Sequence, residues 1–402
     1  MNVRRVYALV LAALACAGCS DDKGSAAGDG GASAPPLDFG AFDAAMGQFL
    51  DHNGLAGASV VVVQKDYGIV LEKGYGTFDA DRLYLIASSS KVMSVGVLMR
   101  LADQGKLDLD APISQYLSAW GSYKTNLSVA QLVSNSSGLV SLLDNPLYVP
   151  YICQYESAGT LSSCAKTIYT ANDAADRRPP DTMFDYGGGA WQLAGGIAEV
   201  VGGKPWADLV KETYVDPCGT PSIGYNNPYQ RIVSGANLGA LMGDGGLGGA
   251  LTYPPFFMGD AGSLAPTQNP SIEGGAYVNA HDYGKILLMH LRGGMCDGGR
   301  VLSEAAVARM QEDRIGKVYG GTTTDGTFSG YGLGWWVDRT HPGVVADPGA
   351  FGAVPWIDGP RKYAAMILIE GTGAEGPAAL QALKPALDAV LGPLAGDAGT
   401  SG

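Results

Sequence analysis

The sequence predicts an α/β fold: one sheet built by strands from both ends of the chain, flanked by helices, with a mainly helical region inserted between them. Two observations carry this. Runs with strand character stand near both ends, at Ala58 to Gln64 and Ile69 to Gly74 early, and at Tyr331 to Val337, Ala350 to Ile357 and Tyr363 to Ile369 late. Between them, from about residue 111 to 270, short helical patterns alternate with Pro, Gly and Asn clusters.

Taken in order, the chain opens with Arg4 and Arg5 before an apolar run from Val6 to Ala15, too short to span a bilayer as a helix. A basic start, a short apolar core and small residues read as a signal peptide over residues 1–18. Ala15-Cys16-Ala17-Gly18-Cys19 resembles a bacterial lipoprotein signal, with Cys16 where Leu is common, and this makes Cys19 the expected lipidation site. Ordinary cleavage and secretion is the alternative. Residues 19–36, rich in Gly, Ala, Ser and Asp, read as a flexible tether that lets a globular domain stand off a membrane.

Phe39, Phe42, Met46, Phe49 and Leu50 recur at helical spacing, so residues 38–52 read as an amphipathic helix that Gly54 stops. The two early strands are joined around Asp66-Tyr67-Gly68 as a hairpin. Ser89 to Gln104 is apolar nearly all round, as a helix buried in a larger core is, and Gly105 is placed to cap it. Further helical patterns cover Ala190 to Val201, residues 279–292 and 303–312, and Ala378 to Leu391. Residues 37–394 thus form one domain, with its α/β part at 37–110 and 271–394 and its helical region at 111–270; residues 395–402 read as a disordered tail.

Composition narrows the function. A hydrophobic share of 46% fills a sizeable core, and a net charge of −13 argues against nucleic acid, whose phosphates need clustered Lys and Arg. Beyond the signal segment four cysteines remain, Cys153, Cys164, Cys218 and Cys296; in an oxidising compartment an even number points to two bridges. Cys153 with Cys164 would close a short loop and leave Cys218 with Cys296, one of three connectivities; free buried cysteines are the alternative. No Cys/His spacing resembles a zinc site.

The chemistry centres on Ser88-Ser89-Ser90-Lys91. A Ser followed three residues later by Lys places both side chains on one face of a helical turn. A serine hydroxyl is a poor nucleophile until a base removes its proton. A lysine serves as that base only when neutral, which burial and a nearby positive charge favour. The apolar helix that this segment opens supplies burial, and its N-terminus offers backbone N–H groups to an oxyanion. A plain helix N-cap is the competing reading of Ser88. A second copy of the spacing, Ser163-Cys164-Ala165-Lys166, opens no apolar helix and reads as accidental.

Leu85 to Lys91 resembles the first motif of the serine β-lactamase and penicillin-binding-protein superfamily, and most resembles the branch holding class C β-lactamases, D-aminopeptidases and related esterases. The resemblance covers roughly residues 38–392. Leu132 to Leu139 is similar to a family stretch ending His-Thr-Ser-Gly-Leu, with Asn135 in place of His. Phe184-Asp185-Tyr186-Gly187-Gly188 resembles the family's Tyr-x-Asn motif, with Gly188 where Asn is usual. The third motif, a basic residue or His, any residue, then Gly, usually lies on an edge strand lining the cleft. Asp347-Pro348-Gly349 followed by Ala350-Phe351-Gly352 aligns with it; His341-Pro342-Gly343 is a rival, and a simple turn is the bland alternative.

The resemblance implies an antiparallel sheet flanked by helices, a nucleophile at Ser88, proton transfer through Lys91 and Tyr186, and an oxyanion hole from the backbone N–H groups of Ser88 and Ala350. It implies neither a metal nor an organic cofactor. Family enzymes grip a substrate carboxylate with the basic residue of the third motif; Asp347 in that place would repel it, and Gly188 lacks an amide side chain. The expected partner is therefore a small ester or acyl compound, with Trp335, Trp336, Tyr148 and Tyr151 as candidates for the acyl site. A β-lactamase or D-Ala-directed peptidase, and an inactive surface lipoprotein that keeps the fold, are the alternatives. A Ser-His-Asp triad is disfavoured, because none of His52, His281, His290 and His341 sits in a motif and no Gly-x-Ser-x-Gly elbow occurs.

Overall fold

The computed structural model describes residues 36–229, 267–323 and 326–392. The signal peptide at 1–18, the lipidation site Cys19, the tether apart from Pro36, and the tail at 395–402 lie outside the described residues.

Strands β1 (Gly57–Gln64) and β2 (Gly68–Gly76) form the early hairpin, and β12 (Tyr363–Ile369) pairs with β1 so that Val61 faces Met366 across the ladder. Strands β8 (Gly330–Tyr331), β9 (Trp336–Val337), β10 (Val344–Ala346) and β11 (Ala353–Asp358) complete a seven-stranded antiparallel sheet in the order β2-β1-β12-β11-β10-β9-β8. Both chain ends therefore meet at the β1–β12 pair.

The side chains of β1 alternate between two cores. Val60 and Val62 join Phe42, Met46, Leu383 and Leu387, whereas Val61 and Val63 join Tyr283, Ile286 and Met366. A strand buried on both faces needs apolar residues throughout, which accounts for the unbroken β-branched run. Helix α1 (Gly40–Asn53) supplies Phe42 and Met46 to one face. Helix α2 (Ser90–Asp103) and the helix Ala280–Leu291 belong to the other core. The helix Ala280–Leu291 lies so close to the sheet that a Cβ on Gly284 would stand 2.7 Å from Val61.

Two expectations about the late strands are corrected. Residues 331–337 are not one strand: β8 and β9 are joined by a tight turn in which the Gly332 N–H donates to the Trp335 carbonyl at 2.8 Å and Gly334 takes φ +82°. β11 starts at Ala353, because residues 349–352 form a turn closed by the Gly349 N–H on the Ala353 oxygen at 2.7 Å. β10 has no counterpart in the sequence reading; three residues are too few to show a period. The last helix covers Glu375–Val390, three residues earlier at its start than expected.

The remaining early elements behave as their residues direct. Helix α2 is entered through a 3₁₀ turn, Ala87–Ser89, and eleven of its residues are buried. The helix Gly189–Gly202 follows Tyr186 directly. Disulfides join Cys153 to Cys164 and Cys218 to Cys296.

Candidate active site

The turn that carries Ser88 is held from several sides. Ala87 takes φ +44°, a conformation an L-residue adopts at a cost of about 1–3 kcal/mol, found where the surroundings over-determine the backbone. Here the Ile86 N–H donates to the Ala276 oxygen at 3.0 Å, the Ser90 hydroxyl donates to the Ala87 oxygen at 2.5 Å, and the Ala276 N–H donates to that same hydroxyl at 3.0 Å. Ser88 is half-buried among buried neighbours, and its side chain stays at the wall of a cleft.

Lys91, one turn on, is fully buried and points back to Ser88: Nζ donates to Ser88 Oγ at 3.1 Å. It also donates to the main-chain oxygen of Glu273 at 3.2 Å and lies 3.4 Å from Glu273 Oε2. The Tyr186 ring sits beside it, with Nζ 4.6 Å from the ring centroid, and the phenol faces Ser88 and Lys91. The structure thus brings Ser88, Lys91 and Tyr186 together from two separate segments.

The electrostatics of Lys91 depart from expectation. Burial pulls its ammonium down, but Tyr186, Glu273 and Asp347 around it outweigh burial, and the net direction is upward. No positive neighbour is among those groups, and the Glu273 carboxylate stands 3.4 Å from the ammonium. Burial pushes the Tyr186 phenol up, and the Lys91 charge opposes this only in part.

Asp347 requires a correction. The third motif is not on an edge strand: Asp347-Pro348-Gly349 joins β10 to β11 inside the sheet. The Asp347 side chain is fully buried, neither carboxyl oxygen has a hydrogen-bond partner among the described residues, and burial pushes its carboxyl well above the usual range despite Lys91. It is absent from the cleft wall, which Pro348, Gly349 and Ala350 form instead, so it does not meet a substrate carboxylate directly. Its main-chain oxygen accepts from the Ser89 hydroxyl at 2.6 Å and thereby ties this loop to the nucleophile's turn. Gly349 is required there, since a Cβ would stand 2.1 Å from the Ile86 oxygen. No described residue accepts from the Ala350 N–H. The rival His341 also lines the cleft, largely exposed, with Nδ1 2.8 Å from Asp338 Oδ2.

The cleft is a cavity of about 860 Å³ whose apolar wall includes Leu143, Phe184, Tyr186, Phe328, Trp336 and Pro348. Of the four aromatic candidates for an acyl site, Trp336 lies there. Trp335 and Tyr151 are core residues, the latter bonded to Asp173, and the Tyr148 hydroxyl is bonded to Asp176 at 2.5 Å. The second Ser-x-x-Lys copy lies on the helix Leu161–Thr170 with Ser163 and Lys166 exposed.

Two residues acquire roles that local patterns do not display. Asn135, left-handed at φ +56°, accepts on Oδ1 from the Gly187 N–H at 3.0 Å and from Trp191 Nε1 at 2.8 Å, so it clamps the loop that carries Tyr186. Glu273 escapes the sequence reading because 182 residues separate it from Lys91 and no motif surrounds it.

A Ser-x-x-Lys pair at a helix entry with its lysine buried, a phenol beside it and a sheet that joins early and late segments are features of the β-lactamase and penicillin-binding-protein fold. The family model described as Beta-lactamase matches residues 42–388, and the chain belongs to that family. Penicillin-binding protein 4 of Amycolatopsis lactamdurans is 26% identical over 275 residues, 66% of this chain and 65% of that protein, a little under two thirds of its length. Esterase/beta-lactamase LipL of Mycobacterium tuberculosis (strain ATCC 25618 / H37Rv) is 27% identical over 180 residues, 43% of this chain and 38% of that protein. A crystal structure of a family VIII carboxylesterase superposes with a TM-score of 0.62 at 17% identity, covering 89% of this chain and 99% of that one.

Proposed function

We propose that the protein is an exported serine hydrolase that cleaves a carboxylic ester through an acyl-enzyme on Ser88 and is tethered to a membrane through Cys19. The carrying observation is the Ser88 hydroxyl 3.1 Å from a fully buried lysine, at the wall of an apolar cleft. In this reading Ser88 attacks the ester carbonyl, Lys91 and Tyr186 move its proton to the leaving alcohol, and water releases the acyl group. The backbone N–H groups of Ser88 and Ala350 bind the oxyanion; one such donor contributes roughly two to three powers of ten in rate.

The choice of ester rests on charge. Of the cations at the cleft, Arg361 is 2.9 Å from Asp358, and Lys384 is 2.7 Å from Asp358 and 2.8 Å from Asp388. His341 is engaged with Asp338. A substrate carboxylate therefore meets no unpaired cation among the described residues, whereas an apolar acyl group meets Phe184 and Trp336. The Mycobacterium tuberculosis relative carries both esterase and beta-lactamase in its name, so the choice between them rests on these charges. Export is supported by the signal-like N-terminus and by two disulfides, which persist in oxidising compartments.

Parallel assays with p-nitrophenyl esters and a chromogenic cephalosporin test the substrate class. Turnover of the esters well above that of the cephalosporin is expected; the reverse order assigns a β-lactamase, and neither turnover nor labelling by a fluorophosphonate assigns an inactive lipoprotein. Palmitate incorporation that Cys19→Ser abolishes is the matching result for the tether.

A further inference from the structure

The pairing of Lys91 with Glu273, Nζ 3.4 Å from Oε2, favours its charged form, and a charged ammonium accepts no proton. Its surroundings supply the missing acceptor. Glu273 stands just before β5 (Ala276–Val278), and its carboxylate reaches Lys91 through a space that Gly187 leaves open. A Cβ on Gly187 would lie 2.7 Å from Glu273 Oε2. Gly188, at φ +90° and ψ −159°, occupies a region that is essentially restricted to glycine, and this conformation directs its N–H to Oε2 at 3.0 Å. Position 188 thus meets the carboxylate of a distant segment through its backbone N–H. The other titratable groups around Glu273 are the phenols of Tyr155, Tyr186, Tyr229 and Tyr331, with Asp347 on Lys91 as well.

We propose that Glu273 takes a proton from Lys91 as Lys91 takes the hydroxyl proton of Ser88. This rests on the hydrolase reading above. The Ser88 O–H bond breaks while Oγ bonds to the carbonyl carbon, whose oxygen receives the electron pair. Lys91 remains an ammonium throughout, and Glu273 ends as a carboxylic acid. When the tetrahedral intermediate collapses, the bond to the alcohol breaks, the alcohol oxygen takes a proton from Lys91, and Lys91 recovers one from Glu273. Glu273 touches no substrate atom; it is a positioning residue that acts through Lys91, which its two oxygens hold opposite Ser88.

Steady-state kinetics on a p-nitrophenyl ester, with the rate of fluorophosphonate labelling alongside, test this in the full chain carrying Glu273→Gln or Glu273→Asp. Glu273→Gln is expected to lower kcat and the labelling rate about 100-fold with KM changed less than about twofold, while Glu273→Asp retains at least about a tenth of wild-type kcat. A wild-type rate in Glu273→Gln overturns the proposal, and so does an equal loss in both variants. Should Glu273→Gln not fold, Glu273→Asp decides alone: kcat below about a hundredth of wild type, with KM unchanged, overturns it. A wild type that neither labels nor turns over removes the hydrolase reading and this inference together; an active wild type beside an indifferent Glu273→Gln removes the inference only.

Discussion

Ser88 owes its position to backbone that is strained just ahead of it and bonded just behind it, through Ala87, Ser89 and Ser90. Such a residue is held where the site needs it, without relaxing into an ordinary N-cap. Lys91 and Tyr186 flank its hydroxyl from two separate segments. Lys91→Met and Tyr186→Phe are each expected to lower ester turnover by roughly 10² to 10⁴ with the fold intact by circular dichroism, the range typical of removing a proton-transferring group. Turnover of both variants within threefold of wild type contradicts these roles. At this scale the Ser88–Lys91 pair is legible because three residues of spacing place both on one helical turn. Glu273 is not, because its partnership is made by the fold. Asn135 and Gly188 read in the sequence as losses, yet Asn135 clamps the Tyr186 loop and Gly188 donates its N–H to Glu273.

At the scale of elements, the helix Ala280–Leu291 buries His290 against Trp335, ring centroids 5.6 Å apart, and neither ring nitrogen has a hydrogen-bond partner among the described residues. Burial lowers its pKa from 6.5 to about 4. A depressed histidine contributes stability that is fully present above its unfolded value and is lost as pH falls from about 6.5 to about 4. The loss amounts to about 3 kcal/mol at about 1.4 kcal/mol per unit. Chemical denaturation at pH 7 and pH 4 measures it, and His290→Phe is expected to shrink the difference by that amount; an unchanged pH dependence contradicts the account. Long elements were legible from their periods: α1, α2, and the helices at 189–202 and 280–291 all lie within two residues of expectation. The short strands β8 to β10 were not, since two or three residues carry no period and glycine turns at 332–334 and 349–352 set their ends.

Across the whole molecule, one sheet joins residues 57–76 to residues 330–369, so the site is assembled from segments that meet only when the sheet closes. The closure was legible because β1 and β12 are apolar on both faces and stand at opposite ends of the chain. The burial of Asp347 was not, because a side chain's direction in a turn depends on the strands around it. The disulfides staple this long-range structure unequally. Cys218–Cys296 spans 78 residues and Cys153–Cys164 spans 11. Loop-closure entropy puts the long one at about 4 kcal/mol and the short one at about 3 kcal/mol. Denaturant unfolding of Cys218→Ser/Cys296→Ser and Cys153→Ser/Cys164→Ser is expected to show the larger loss in the first pair, and a larger loss in the second contradicts that ranking.

The central claim is that Ser88 carries the acyl group. Labelling the protein with a fluorophosphonate, then locating the adduct by peptide mass spectrometry in the wild type and in Ser88→Ala, tests it most directly. One adduct on Ser88 and none in the variant is the expected result; an adduct on any other residue, or labelling that persists in Ser88→Ala, rules Ser88 out.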